Sequence, residues 1–119
     1  MSDSDKREWR FYIDDMIYFA EKVLAYTEDL DQAVFEVSGM TYDATLRNLE
    51  LIGEAATHIP DNVRTGHPEI PWRMIIAARN QLIHGYLGVD NDILWSIIQD
   101  DMPELLSMLK SLKTDSTYS

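Results

Sequence analysis

The sequence predicts an all-α fold, a bundle of four main helices plus a short one. Three observations carry that expectation. Apolar residues recur three and four apart along nearly the whole chain, the spacing of a helix face. No stretch sustains the alternation of apolar and polar residues that would mark a strand. The helix breakers gather in short connectors, above all the segment holding Pro60, Gly66, Pro68 and Pro71. A chain of 119 residues has room for one domain with a core and not for two. Residues 1–119 are therefore expected to form a single domain, with about 114–119 as a frayed tail.

The first helix is expected from about Lys6 to about Thr27. Its apolar stripe is Trp9, Tyr12, Ile13, Met16, Ala20, Val23 and Leu24. A short second helix follows Asp31, a good N-cap, with Val34, Phe35 and Val37 inward and Gly39 as its end. The third runs from about Tyr42 to about Ile59, with Leu46, Leu49, Ile52, Gly53, Ala56 and Ile59 on its core face. Gly53 costs about 1 kcal/mol relative to Ala in a helix interior; close approach of a neighbouring helix would account for it. Arg47, Glu50 and Glu54 recur along the border of that face. Two readings fit them equally. They form a solvated ladder worth little, or Glu54 and its neighbours pair with an arginine on another helix. The connector from Pro60 to Pro71 has space for one helical turn near Asn62, Val63 and Arg64. His58 and His67 flank it. With no third ligand at metal-binding spacing, both are expected on the surface, and no metal site is expected.

The fourth helix opens at Pro71, whose missing N–H would have no intrahelical partner at that position. Trp72, Ile75, Ile76, Leu82 and Ile83 share one apolar arc, and Arg79 falls in its middle. A guanidinium aimed at a core must be paired and hydrogen-bonded. Asn80 and His84 are four apart and stack on one flank. Gly85 is a plausible stop, which puts His84 in the last turn. Tyr86 lies seven residues beyond Arg79, just past that end. The last helix starts at a cap, Asp90 or Asn91. Its stripe is Ile93, Leu94, Ile97, Ile98, Met102, Leu105, Met108, Leu109 and Leu112. Pro103 falls inside that stripe and should kink or split the helix just before it.

Composition narrows the function classes. No apolar run approaches the roughly 20 residues of a membrane span, and the N-terminus lacks a secretory pattern. There is no cysteine, hence no disulfide framework or thiolate nucleophile. A cytoplasmic location is expected. The net charge of −11 repels nucleic acid at long range and argues against a non-specific DNA or RNA binder. It leaves room for a small local positive site, and it suits a protein partner. Three tryptophans and six tyrosines are a heavy aromatic load for this length, suggesting surface shared with a second copy.

Three segments carry a family resemblance: Leu46 to Ala55, Ile70 to Arg73, and Ala78 to Asp90. Together they resemble the HEPN superfamily, specifically its HepT-like toxins. The motif of Arg, a polar residue, three positions, His, one position and Tyr is complete at Arg79, Asn80, His84 and Tyr86. The resemblance implies a HEPN-type helical bundle that dimerises, bringing two motifs into one cleft. It implies a metal-independent endoribonuclease acting on RNA, with no cofactor, as the toxin of a type VII-like toxin–antitoxin system. It also implies an MNT-type nucleotidyltransferase antitoxin that silences the toxin by AMPylation of Tyr86.

These residue types suit that chemistry. Histidine serves as acid or base near neutral pH, and an always-charged Arg grips phosphate bidentately. Asn80 would orient His84 or hold a phosphate oxygen. Arg47 and Glu54 would support the site if they face the cleft. AMP on Tyr86 would add bulk and negative charge over it. An alternative from a different class is a non-catalytic HEPN adaptor that binds a nucleotidyltransferase and is modified by it; the acidity fits this better.

Overall fold

Trp9, Ile13, Met16, Ala20 and Val23 are all buried, and their three-and-four spacing makes the first helix the spine of the fold. The computed structural model describes residues 2–84 and 89–114, with side chains for 9–82 and 89–114. Helix α1 spans Ser2–Thr27, α2 Gln32–Val37, α3 Gly39–Ala56, α4 Asp61–Gly66, α5 Trp72–His84, α6 Asn91–Ser96 and α7 Met102–Lys113; a π turn, Ile97–Asp101, joins α6 to α7. Its 26 residues make α1 about 39 Å long at 1.5 Å per residue, most of the 46 Å long axis of the molecule.

Helix α1 packs against α3 on one side and α7 on the other, and α5 lies against α3. The core between them is Ile52, Ala56 and Ile59 from α3 and its end, Trp72 from α5, and Ile98, Leu105, Leu109 and Leu112 from the last two helices. No strand occurs among the described residues. The all-α expectation therefore holds. Four long elements stand as α1, α3, α5 and the joined α6–π–α7, with α2 and α4 as the short ones.

Several boundaries and faces differ from the sequence reading. Helix α1 begins at Ser2 and α3 at Gly39. Gly39 does not end α2. Ser38 caps it with its N–H on the Phe35 carbonyl, and Gly39 opens the next helix without a positive φ. In α2 only Phe35 is buried; Val34 and Val37 are 45% and 82% exposed. Six residues make fewer than two turns, so only one side chain faces the core. Ile93 is likewise exposed, on the first turn of α6 before the stripe reaches the core. The interruption expected before Pro103 takes the form of the π turn, where the Met102 N–H reaches the Ile97 carbonyl. That wider turn absorbs the hydrogen bond a proline cannot donate.

Small polar bonds set the corners. Asp31 caps α2 by accepting from the Val34 N–H at 2.9 Å. Asp90 caps α6 by accepting from Asp92 and Ile93 N–H at 2.9 and 3.2 Å. Tyr42 donates to Asn91 Oδ1 at 2.6 Å, tying α3 to the start of α6. The Phe35, Tyr42 and Trp95 rings pack at that junction.

Candidate functional site

Helix α3 gives up a side chain at Gly53 so that α5 can come close. A Cβ there would collide with Arg79 Cβ and crowd its Cγ and the Ile75 carbonyl oxygen. The cost of an internal glycine is therefore matched by direct contact between α3 and the α5 backbone. Arg79 leaves that contact running along α3 toward Glu54, one residue on from Gly53. Its Nη2 donates to Glu54 Oε2 at 2.5 Å, and its Nη1 to Asn80 Oδ1 at 2.8 Å. Both are hydrogen bonds of the guanidinium, one charge-assisted on both sides. The Arg79 side chain is 26% exposed. It reaches the surface at the edge of the apolar arc and does not enter the core. Its Nε is buried and has no hydrogen-bond partner among the described residues.

Of the two readings of the α3 charges, each is half right. Glu54 pairs with Arg79. Arg47, whose side chain is 68% exposed, pairs with Glu50 at 3.1 Å, a solvated i,i+3 contact. The structure thus brings together Arg79, Asn80 and Glu54, and leaves Arg47 in its own surface pair. His84 is the last residue of α5. Its side chain lies outside the described residues, as does Tyr86.

Two further side chains join this cluster: His58, four residues on from Glu54 and so at ordinary helical spacing, and Tyr12, which no spacing announces. Glu54 Oε1 lies 3.7 Å from His58 Nε2. The His58 ring stacks on Tyr12 of α1, with centroids 4.4 Å apart and planes 11° from parallel. The contact crosses two helices 46 residues apart in the chain, so helical periodicity cannot reveal it. His58 is exposed, as expected. His67 is not: it is 8% exposed, its carbonyl accepts from Trp72 Nε1 at 3.1 Å, and its Nδ1 lies 3.2 Å from Glu69 Oε2. The connector folds back under the start of α5, which buries a residue whose Pro- and Gly-rich neighbours suggested solvent. Among the described residues, no three His, Asp or Glu side chains gather in a way that could hold a metal ion.

A separate apolar groove of about 420 Å³ runs between α5 and the α6–α7 arm, floored by Ile52, Ile75, Leu82 and Leu105. Arg79 and Glu54 do not line it. The charged cluster lies instead where α5 meets α3.

Comparison with known proteins gives the family of the chain. A family model described as "Ribonuclease HepT-like" matches residues 16–112. "Probable ribonuclease HepT" of Thermococcus cleftensis is 36% identical over 108 residues, covering 91% of this chain and 98% of that protein. "Putative RNase MJ1380" of Methanocaldococcus jannaschii is 36% identical over 100 residues, covering 84% of this chain and 92% of that one. "Putative RNase TTE0752" of Caldanaerobacter subterraneus is 31% identical over 103 residues, 87% and 92% of the two chains. No solved structure matches significantly. The match runs from within α1 nearly to the end of α7, through both helices that carry the Arg79–Glu54 pair, and the chain belongs to the ribonuclease HepT-like family.

Proposed function

We propose that the protein is a metal-independent endoribonuclease, working as a homodimer in which Arg79 and His84 of both copies face one cleft. The observation that carries this is the Arg79 guanidinium. It is held at the surface by Glu54 and Asn80, five residues before His84 on the same helix, about 7.5 Å along its axis. Family membership and the names of the relatives support the same reading.

The chemistry follows from those groups. One His84 takes the proton of a ribose 2′-OH. The 2′ oxygen attacks the adjacent phosphorus, and the bond from phosphorus to the 5′ oxygen breaks. The other His84 donates a proton to that leaving oxygen. The products are a 2′,3′-cyclic phosphate and a 5′-hydroxyl. Arg79 neutralises the charge that builds on the non-bridging oxygens. Asn80, with its oxygen engaged by Arg79, offers its amide N–H groups to phosphate or to His84. Glu54 holds the guanidinium in place, while Arg47, paired with Glu50 at the surface, gives the site no direct contact among the described residues.

In this reading the protein is the toxin of a type VII-like toxin–antitoxin pair. An MNT-type nucleotidyltransferase antitoxin transfers AMP to Tyr86 and closes the site by occlusion and charge. Exposed apolar side chains, among them Phe11, Tyr18 and Met74, support the homodimer.

The test is RNA cleavage in EDTA by the wild type, Arg79→Ala and His84→Ala. Each substitution is expected to lower the rate by about 100-fold or more; cleavage surviving both would sink the assignment. The net charge of −11 favours a second reading, a non-catalytic adaptor modified by the nucleotidyltransferase. Expressing the chain alone separates the two: growth arrest with RNA fragmentation belongs only to the nuclease.

A further inference from the structure

We propose that the stacked Tyr12 and His58 rings form a nucleobase platform beside Arg79. A single-stranded RNA whose phosphate sits on the guanidinium lays a neighbouring base on the open face of His58. This rests on the ribonuclease reading above. The pair is built as a platform should be. Tyr12 is half-buried against the core of α1 and fixes the lower ring. His58 lies parallel above it, at the end of α3, where its backbone N–H bonds the Ala55 carbonyl at 3.0 Å. Although one face rests on Tyr12, the side chain is still 47% exposed, so much of the ring stays within reach of a base.

Position and charge add to this. Glu54 touches Arg79 through one oxygen and approaches His58 through the other. Ring and guanidinium are thus separated by a single carboxylate, a gap that one ribose-phosphate unit spans. The carboxylate between them repels phosphate, which leaves the guanidinium for the backbone and the ring for the base. As an ion pair, exposed His58–Glu54 contributes little. As a stacking surface His58 has far more to offer, because one base–aromatic stack changes affinity by about 5- to 150-fold. Every base has a π face, so such a platform tolerates all four.

The test uses full-length protein and an unstructured RNA oligonucleotide whose cleavage position has been mapped. Two further oligonucleotides carry an abasic ribonucleotide, one on each side of the scissile linkage. The wild type should show a KM about 5-fold or more higher on one abasic oligonucleotide, with kcat little changed. His58→Ala should raise KM on the natural RNA by a similar factor and no longer distinguish the abasic one. His58→Phe, which keeps a flat ring and loses the ring nitrogens, should restore both KM and the discrimination. A role confined to holding the fold would not respond to the missing base. The platform is overturned if the wild type cleaves all three RNAs alike and His58→Ala leaves KM unmoved. It is also overturned if His58→Phe behaves like His58→Ala. If the wild type neither cleaves nor binds RNA, the ribonuclease reading itself fails.

Discussion

Gly53 and Gly39 sit in the same helix and should answer alanine in opposite ways. At Gly39 a new Cβ would meet nothing within 4 Å. Gly39→Ala is therefore expected to be neutral or to stabilise by up to about 1 kcal/mol, as alanine reduces the freedom of the unfolded chain. At Gly53 the new Cβ meets Arg79 Cβ and the Ile75 carbonyl, and no side-chain rotation can move either aside. Overpacking of this kind costs about 1–3 kcal/mol, more than the roughly 1 kcal/mol that alanine returns as a helix former. Urea midpoints should rise or hold for one variant and fall for the other. RNA cleavage by Gly53→Ala should fall further than its stability alone explains, because α5 must shift and carry Arg79 with it. The sequence disclosed part of this cluster. A glycine inside a helix face already implied a close neighbour, and an arginine in an apolar arc already demanded a partner. It could not choose between Arg79 and solvent for the α3 carboxylates, because that depends on how far apart α3 and α5 sit. It misplaced His67 because local composition does not show that Trp72 turns back over the connector.

Among the elements, α2 and α6 are held by polar contacts as much as by burial. Helix α6 starts five residues after Tyr86 in the sequence, and Asp90 is its only described side-chain cap. Asp90→Ala should cost about 1 kcal/mol in denaturant unfolding, and Asp90→Asn only a few tenths, since asparagine caps nearly as well. Tyr42, which links α3 to Asn91, adds a pH dependence. Burial first, then the nearby Glu36 and Asp43 carboxylates, push its phenol above the ordinary tyrosine value. The folded state therefore favours the neutral form. The stability this contributes is full below about pH 10, where the unfolded chain would begin to ionise, and drains away as the pH climbs through the raised folded value. Unfolding free energies measured at pH 8 and pH 11 should differ less in Tyr42→Phe than in the wild type; an unchanged difference would assign the alkaline loss to other groups. Element existence was legible from periodicity alone. The corrections fall at joints, where Gly39 begins a helix and where Pro103 is met by a π turn, because these depend on which carbonyls the neighbouring turns leave free.

At the scale of the whole molecule, charge sets the strongest constraint on how RNA is held. Each chain carries −11, and a homodimer doubles it. Long-range attraction of a polyanion is absent, so in the proposed nuclease binding comes from a few short contacts around Arg79 and from the proposed stack on His58. Salt dependence measures that distinction. Each phosphate contact on single-stranded nucleic acid adds about 0.7 to the slope of log affinity against log salt, with negative sign. Two Arg79 side chains in a dimer would give a slope of about −1.4, and screening of the acidic surface by added salt would offset part of even that. KM for a single-stranded RNA should therefore change by only a few-fold between about 50 and 200 mM salt, where a protein making 6–10 phosphate contacts on a duplex loses about 10³–10⁵ in affinity. Arg79→Ala should flatten the remaining slope, while His58→Ala should weaken binding and leave the slope in place, since a ring releases no counterions. A steep slope in the wild type would mean a broad cationic face that this composition does not contain, and RNA would then have to be held by a basic partner protein bound to this one.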